Sequence, residues 1–451
     1  MRQTTTKYQL ICNVMFVIFW VMATYNFITQ ELAGEIVTSI ELGVRLIAQG
    51  VVIVLGLWTL RAKTDILILS IFLVYSFIST CVVNDLSLFM WIDGMRLYIC
   101  FLFVIPIFRY LLADKQFRSH FVERVDRNLL RFLWIQIPCI ILQMKYPHPD
   151  FCGGSLGWMK SGTISNLIYL VSFYLMLRAW DKRKSYFGNL QRNWILIFLL
   201  FPSFLNETKI SFIFLMMYFF FLIPIDKKFL KNFTWILPGM MVLLGGALYL
   251  YSSVVGSNEE VTNMASATEY LIGNDDGLNV VEAYMDNKDM ESESDLARGL
   301  KFVVVPAIMD RHPISWPFGY GIGNYKVGDS AKSVKFAKEY QWMLRGTMIE
   351  SHFIWLELGL IGLGLYFIFW FIVLRAFRHK VDRNLQLQWF LSINVLLITV
   401  YNSALNELPF YFIFMYMIVA SNNWHSLPPY SFPSFIGKRI IRWSLRAPVE
   451  D

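Results

Sequence analysis

About twelve times along this chain, close to 20 consecutive residues are mostly apolar. That is the length an α-helix needs to cross the hydrocarbon core of a bilayer. The runs lie near residues 8–28, 36–58, 65–83, 88–112, 129–144, 163–180, 193–206, 209–225, 233–255, 352–374, 388–405 and 408–424. None alternates with period two, which argues against a porin-type barrel. Backbone groups in lipid must be paired within their own segment, so helices are expected throughout. The runs at 129–144 and 193–206 are short, and 193–206 with 209–225 reads as a hairpin closing inside the membrane. Composition agrees: 56% of residues are hydrophobic and 16% charged, against about 25% charged in a soluble domain. So apolar a chain is not disordered. The first run follows Arg2 and Lys7 with no small-residue cleavage site after it, and is read as a retained helix.

The formal charge of +7 and the pI near 9.0 suggest a nucleic-acid binder until the charges are located. Positive residues concentrate on the cytoplasmic side of membrane proteins. With the N-terminus inside, segments 1–7, 59–65, 109–131, 178–193, 226–232, 375–387 and 422–451 are cytoplasmic and hold 26 of the 40 Lys and Arg. The short outer connections 29–35, 84–87 and 402–408 hold none. The charge therefore reports orientation, with both termini cytoplasmic, and no nucleic-acid partner is expected.

Four regions follow: nine helices in 1–255, a large outer loop at 256–351, three helices in 352–424 and a basic tail at 425–451. The loop is net acidic, with 15 Asp and Glu against 9 Lys and Arg, and loops of such length are commonly functional or disordered. Its first part, 257–295, is polar. An amphipathic stretch, Leu296–Met309, ends at His312-Pro313, and a glycine-rich turn follows at Gly319–Gly323. Of five cysteines only Cys152 falls in an outer loop, so no outer disulfide framework is expected. Histidines are scattered, and neither a metal site nor a cofactor is expected. Nucleotide-binding loops and fixed-period repeats are absent from the sequence.

An ionisable residue at membrane depth costs roughly 2.5–3.5 kcal/mol on insertion scales, so it needs a partner or a purpose. Glu41 and Arg45 lie four apart, and Asp93 and Arg96 three apart, spacings that allow ion pairs within a helix. The turn Asn206-Glu207-Thr208-Lys209 is either a solvated hairpin or a cation at the mouth of a cavity. Glu350-Ser351-His352 is either a helix start complementing the dipole or a reactive cluster at the membrane boundary.

The stretch Arg311-His312-Pro313-Ile314-Ser315-Trp316-Pro317-Phe318-Gly319-Tyr320-Gly321-Ile322-Gly323-Asn324-Tyr325 resembles the outer loop of the O-antigen polymerase and O-antigen ligase superfamily. About thirty residues on, Ser351-His352 with Leu356-Glu357-Leu358-Gly359-Leu360-Ile361-Gly362 is similar to the opening of that superfamily's next membrane helix. Leu296-Ala297-Arg298-Gly299-Leu300, Thr208-Lys209-Ile210-Ser211 and Ser161-Gly162-Thr163-Ile164-Ser165-Asn166 resemble three further family motifs in the same order. The resemblance covers about residues 160–370. Lys209 stands where the family usually has Arg, Phe353 replaces an Asn after the His, and the interval from His352 to Gly359 is about one turn shorter than in typical ligases.

The resemblance implies a GT-C-like, all-α polytopic membrane enzyme of the bacterial inner membrane, with about 12 helices and its large loop in the periplasm before the tenth. The implied donor is an undecaprenyl-diphosphate-linked glycan, the acceptor a second glycan or lipid A-core, with membrane lipid and a chain-length regulator as further partners. Negative charge develops on the leaving diphosphate and calls for fixed cations. Lys209 and Arg298 are the first candidates, with Arg45, Arg96 and Arg345 in reserve. The acceptor hydroxyl needs a base, for which His352 and then Glu350 are best placed. Gly321 and Gly323 would let backbone approach a sugar or phosphate, or simply reverse the loop. A metal-independent polymerase is the leading expectation, because the acidic segment 259–295 suits a lipid-core acceptor less well. A ligase is the alternative. A flippase or transporter fits less, since the largest loop is outer and late and no half-repeat is evident.

Overall fold

The structure is a computed structural model, which describes residues 2–33, 38–146, 151–158, 160–205, 210–223, 301–324, 349–374, 383–401 and 407–430. Every regular element among them is helical. In chain order they are α1 (Arg2–Ala33), α2 (Thr38–Thr59), α3 (Lys63–Phe77), α4 (Leu88–Ala113), α5 (Lys115–Gln143), α6 (Ser161–Ala179), α7 (Tyr186–Arg192), α8 (Trp194–Phe198), α9 (Pro202–Leu205), α10 (Ile210–Phe221), α11 (Lys301–Asp310), α12 (Ser315–Phe318), α13 (Glu350–Leu374), α14 (Arg383–Tyr401) and α15 (Leu408–Asn422). A π-helical segment, Ile78–Val83, continues α3. Among the described residues, six helical stretches are long and apolar enough to span a bilayer: Lys7–Glu31, Ile40–Thr59, Lys63–Val83, Leu88–Ala113, Ser161–Ala179 and Glu350–Leu374. The chain is a multi-pass helical membrane protein.

The helices form an inner and an outer set. In α6, 83% of the spanning window is buried, and α15 is enclosed along nearly its whole length. Only 17% of the Lys63–Val83 window is buried, and its Leu67, Val74 and Val82 stay exposed with Val17, Ile47 and Phe371 from α1, α2 and α13, as lipid-facing side chains would. Polar groups tie the inner set. Asn166 of α6 and Asn394 of α14 exchange amide hydrogen bonds of 3.1 and 2.8 Å. Tyr174 of α6 donates to Asp126 of α5, which pairs with Arg178 at 3.2 Å. Interhelical bonds of this kind contribute about 0.6–2 kcal/mol each in membranes.

Three expected segments take a different form. Residues 109–131 read as a cytoplasmic connection, yet α5 begins at Lys115 and runs unbroken to Gln143. The Asp114 side chain caps it, accepting from the N–H groups of Gln116 and Phe117, and the Arg- and Glu-bearing turns that follow have good helix propensity. The run 193–206 is not one helix but α8 and α9, separated before Pro202, whose ring has no N–H to continue a ladder. The run 352–374 is interrupted at Gly359, which has φ 66° and ψ −171°. The amphipathic stretch at 296–309 is described from residue 301, where α11 ends at Asp310 as expected. The ninth run at 233–255, the Asn206–Lys209 turn, the first part of the large loop and the tail beyond 430 lie outside the described residues.

Candidate functional site

The break in α13 organises its surroundings. A helix interrupted at Gly359 loses the donors for the carbonyls one turn earlier. Here they are replaced from elsewhere. The N–H of Tyr320 donates to Leu356 O at 2.7 Å, and that of Gly321 to Glu357 O at 3.0 Å. The Tyr75 hydroxyl donates to Leu358 O. The glycine-rich turn that follows α12 is therefore docked against the broken helix. A Cβ on Gly359 would lie 2.3 Å from Pro317 C and O, so the contact is backbone on backbone.

The turn's other face rests on α3 and α4. The Ser79 hydroxyl donates to Phe318 O, and Asn84 Nδ2 to Gly319 O at 3.0 Å. Ile322 N donates to Thr80 Oγ1 at 3.0 Å. Ser79 and Thr80 stand in the π-helical segment, and Asn84 Nδ2 also donates to Ser79 O at 2.7 Å. Segments of this kind recur where a helix must re-aim side chains.

Glu357 closes the lock. It is 3% exposed, and its carboxyl accepts at both oxygens: from Gly323 N at 3.0 Å and from the Tyr98 hydroxyl at 2.7 Å. Glu357 is not among the site residues expected from the sequence, although a carboxylate in an otherwise apolar helix is itself a signal. The N–H groups of Tyr320, Gly321, Ile322 and Gly323 all pair with protein groups. Gly321 and Gly323 therefore shape and hold the turn.

Glu350, Ser351 and His352 open α13 and are buried, Glu350 and His352 at 1% exposure each. Glu350 lies in the first helical turn, as a dipole-complementing residue would. The His352 ring meets the Phe302 ring of α11 edge-on, with centroids 4.2 Å apart. The Tyr320 hydroxyl donates to Ile308 O at 2.7 Å, fastening α11 to the turn. Gly321 and Gly323 thus bond α13 at Glu357, five residues beyond His352, and α11 contacts both His352 and the turn.

Arg45 and Arg96 form a second group. Both intrahelical pairs that the spacing allows are present, Arg45–Glu41 at 3.1 Å and Arg96–Asp93 at 3.2 Å. Arg96 is within electrostatic reach of Cys100 on the same helix face, and the Cys100 thiol donates to Gln49 O of α2 at 3.5 Å. Gly94 and Tyr98, which meet the turn and Glu357, point from the opposite face of α4. α4 therefore stands between these arginines and the turn. Arg96 Nε and Nη1 are enclosed with no hydrogen-bond partner among the described residues.

Nearby, Lys160 at the start of α6 pairs with Glu407 at the start of α15, a link across 247 residues that no local spacing signals. Burial would raise the Glu407 carboxyl, but the Lys160 ammonium, its hydrogen bond and the Arg45 charge outweigh it and hold it below the ordinary glutamate range. Lys209, Arg298 and Arg345 lie outside the described residues. Among the described residues no three His, Cys, Asp or Glu side chains are grouped as for a metal ion. No protein-family model matches the chain, and no curated protein matches it.

Proposed function

We propose that the chain is a polysaccharide polymerase of the bacterial inner membrane, joining undecaprenyl-diphosphate-linked repeat units of O-antigen or capsular type at the outer face. The observation that carries this reading is the meeting of two separate stretches. The Arg311–Asn324 stretch and the Ser351–Gly362 stretch, each suggestive alone, are joined through Tyr320 N to Leu356 O, Gly321 N to Glu357 O and Gly323 N to the Glu357 carboxyl. A lock of this precision beside a buried His and Glu is the scaffold that a preorganised reaction site requires.

In the proposed reaction the acceptor hydroxyl oxygen attacks the anomeric carbon of the lipid-linked glycan. The bond from that carbon to the diphosphate oxygen breaks, and the diphosphate leaves on its lipid with the bonding pair. Direct attack inverts the anomeric centre. The hydroxyl proton passes to the His352 imidazole, with Glu350 the next candidate base. Lys209 and Arg298 are the cations assigned to the developing charge on the diphosphate. Arg45 and Arg96 stand across α4 from the turn and remain in reserve with Arg345. Twelve spans, cytoplasmic termini and a periplasmic loop belong to the same proposal, supported by the distribution of Lys and Arg.

A deletion strain tests the reading. Loss of long chains with survival of a single-repeat lipid product is expected, and Arg298→Ala or His352→Ala should reproduce it while the protein still inserts. Full-length lipid-linked polymer accumulating in the deletion strain would instead assign a ligase. Normal-length polysaccharide from either variant would remove that residue from its role.

A further inference from the structure

Away from the α13 break, α1 and α5 enclose a groove of about 850 Å³. The two helices run side by side in the same direction, joined by Arg124 to Asn13, by Trp20 Nε1 to Asn128 Oδ1 at 2.9 Å, and by Lys145 to Glu31 at 2.6 Å. The α1 wall is apolar along Phe16, Val17, Trp20 and Val21, with Val17 61% exposed, and carries one polar side chain, Asn13, which accepts from Arg124. The α5 wall is cationic. His120, Arg124, Arg127 and Arg131 fall at intervals of four, three and four residues and share one face.

Two acids accompany this face of α5: exposed Glu123, one turn before Arg127 and with no cation within 4 Å of its carboxylate among the described residues, and buried Asp126. Asp126 turns inward to Arg178. Arg124, Arg127 and Arg131, like Arg61 and Arg118, have no carboxylate within 4 Å among the described residues, whereas Arg45, Arg96, Arg109, Arg178 and Arg192 do. Arg124 lies over the Phe16 ring at 4.6 Å, so its charge reaches across to the α1 wall. Arg127 and Arg131 are exposed on this face. A phosphate held there would meet their charge, and the apolar part of the α1 wall would lie along the chains attached to it.

We propose that this groove binds an anionic phospholipid, its phosphate on Arg124, Arg127 and Arg131 and its acyl chains along Phe16, Val17 and Val21. A soluble anion would satisfy the arginines but leave the α1 wall without a partner, so the lipid is the better fit. The site shares no residue with the proposed reaction centre and does not depend on it.

Native mass spectrometry of the purified full chain, titrated with phosphatidylglycerol or phosphatidylcholine, tests the proposal. Phosphatidylglycerol should be retained in preference. The R127Q/R131Q double variant should weaken that retention roughly tenfold or more, at about 1 kcal/mol per arginine. V17E, a change at an exposed position that sets a carboxylate opposite the arginines, should do the same. The R183Q/K184Q variant, altered in a basic loop outside the groove, should bind as the parent does. Unchanged retention in both groove variants would overturn the proposal. So would equal loss in the loop variant, which would mean general charge attraction, or displacement by millimolar inorganic phosphate, which would mean a soluble anion.

Discussion

Glu357 and Gly359 show what single residues contribute to the docked turn. The Glu357 carboxyl is enclosed and accepts from Tyr98 and Gly323. Removing the Tyr98 hydroxyl leaves a buried acceptor one donor short, a loss of roughly 1–3 kcal/mol. Tyr98→Phe should accordingly lower the thermal midpoint of the solubilised protein, measured by unfolding fluorescence. Gly359 holds φ 66° with the Pro317 backbone 2.3 Å from where a Cβ would stand. Gly359→Ala combines left-handed strain with a backbone clash and should cost roughly 2–4 kcal/mol. Gly364, on the same helix with nothing within 4 Å of its would-be Cβ, should accept Ala with little change. A similar loss at both positions would show that the break carries no special contact. The sequence marks Gly359 as part of a Gly-x-x-Gly pattern but does not reveal its left-handed conformation, because that depends on Pro317 and Phe318 some forty residues earlier.

Among elements, the long apolar helices were legible because their period and length have one physical solution in lipid. Their interruptions were less so. α13 breaks because an outside turn supplies the donors its carbonyls lose, and α5 runs through its charged half because Asp114 caps it. Both causes lie in tertiary or capping detail that a hydropathy window averages away. The Lys160–Glu407 pair joining the starts of α6 and α15 is of the same kind. Its electrostatics give a pH dependence with a definite sign. The folded Glu407 carboxyl sits below its ordinary value of 4.5, so its contribution is present above that value and is lost as pH falls through the lower, folded one. Melting temperature measured from neutral pH to about pH 3 should fall on acidification, and less steeply in Glu407→Gln. Identical profiles would show that the pair does not contribute in this window.

For the whole molecule, the surplus of positive charge divides into three uses. Most of it falls in segments that the proposed topology puts on the cytoplasmic side, the α5 arginines among them. Three arginines line the α1–α5 groove. A few acid-paired cations, Arg45, Arg96 and Lys160, stand among the helices near the other end. The sequence order of the motifs suggested a reaction centre, and the fold joins two of them through the turn on α13. Arg45 and Arg96, grouped with the others on charge alone, stand across α4 from that turn, a separation no residue count reveals. The proposed activity is glycosyl transfer between lipid-linked units. Its most direct test is the purified protein in liposomes supplied with an undecaprenyl-diphosphate-linked repeat unit and resolved by gel. A ladder of products lengthening one repeat at a time, abolished by His352→Ala in protein that still reconstitutes, is the predicted result. Absence of any chain extension by the parent protein, with movement of the lipid-linked unit or of a solute across the bilayer in its place, would contradict it.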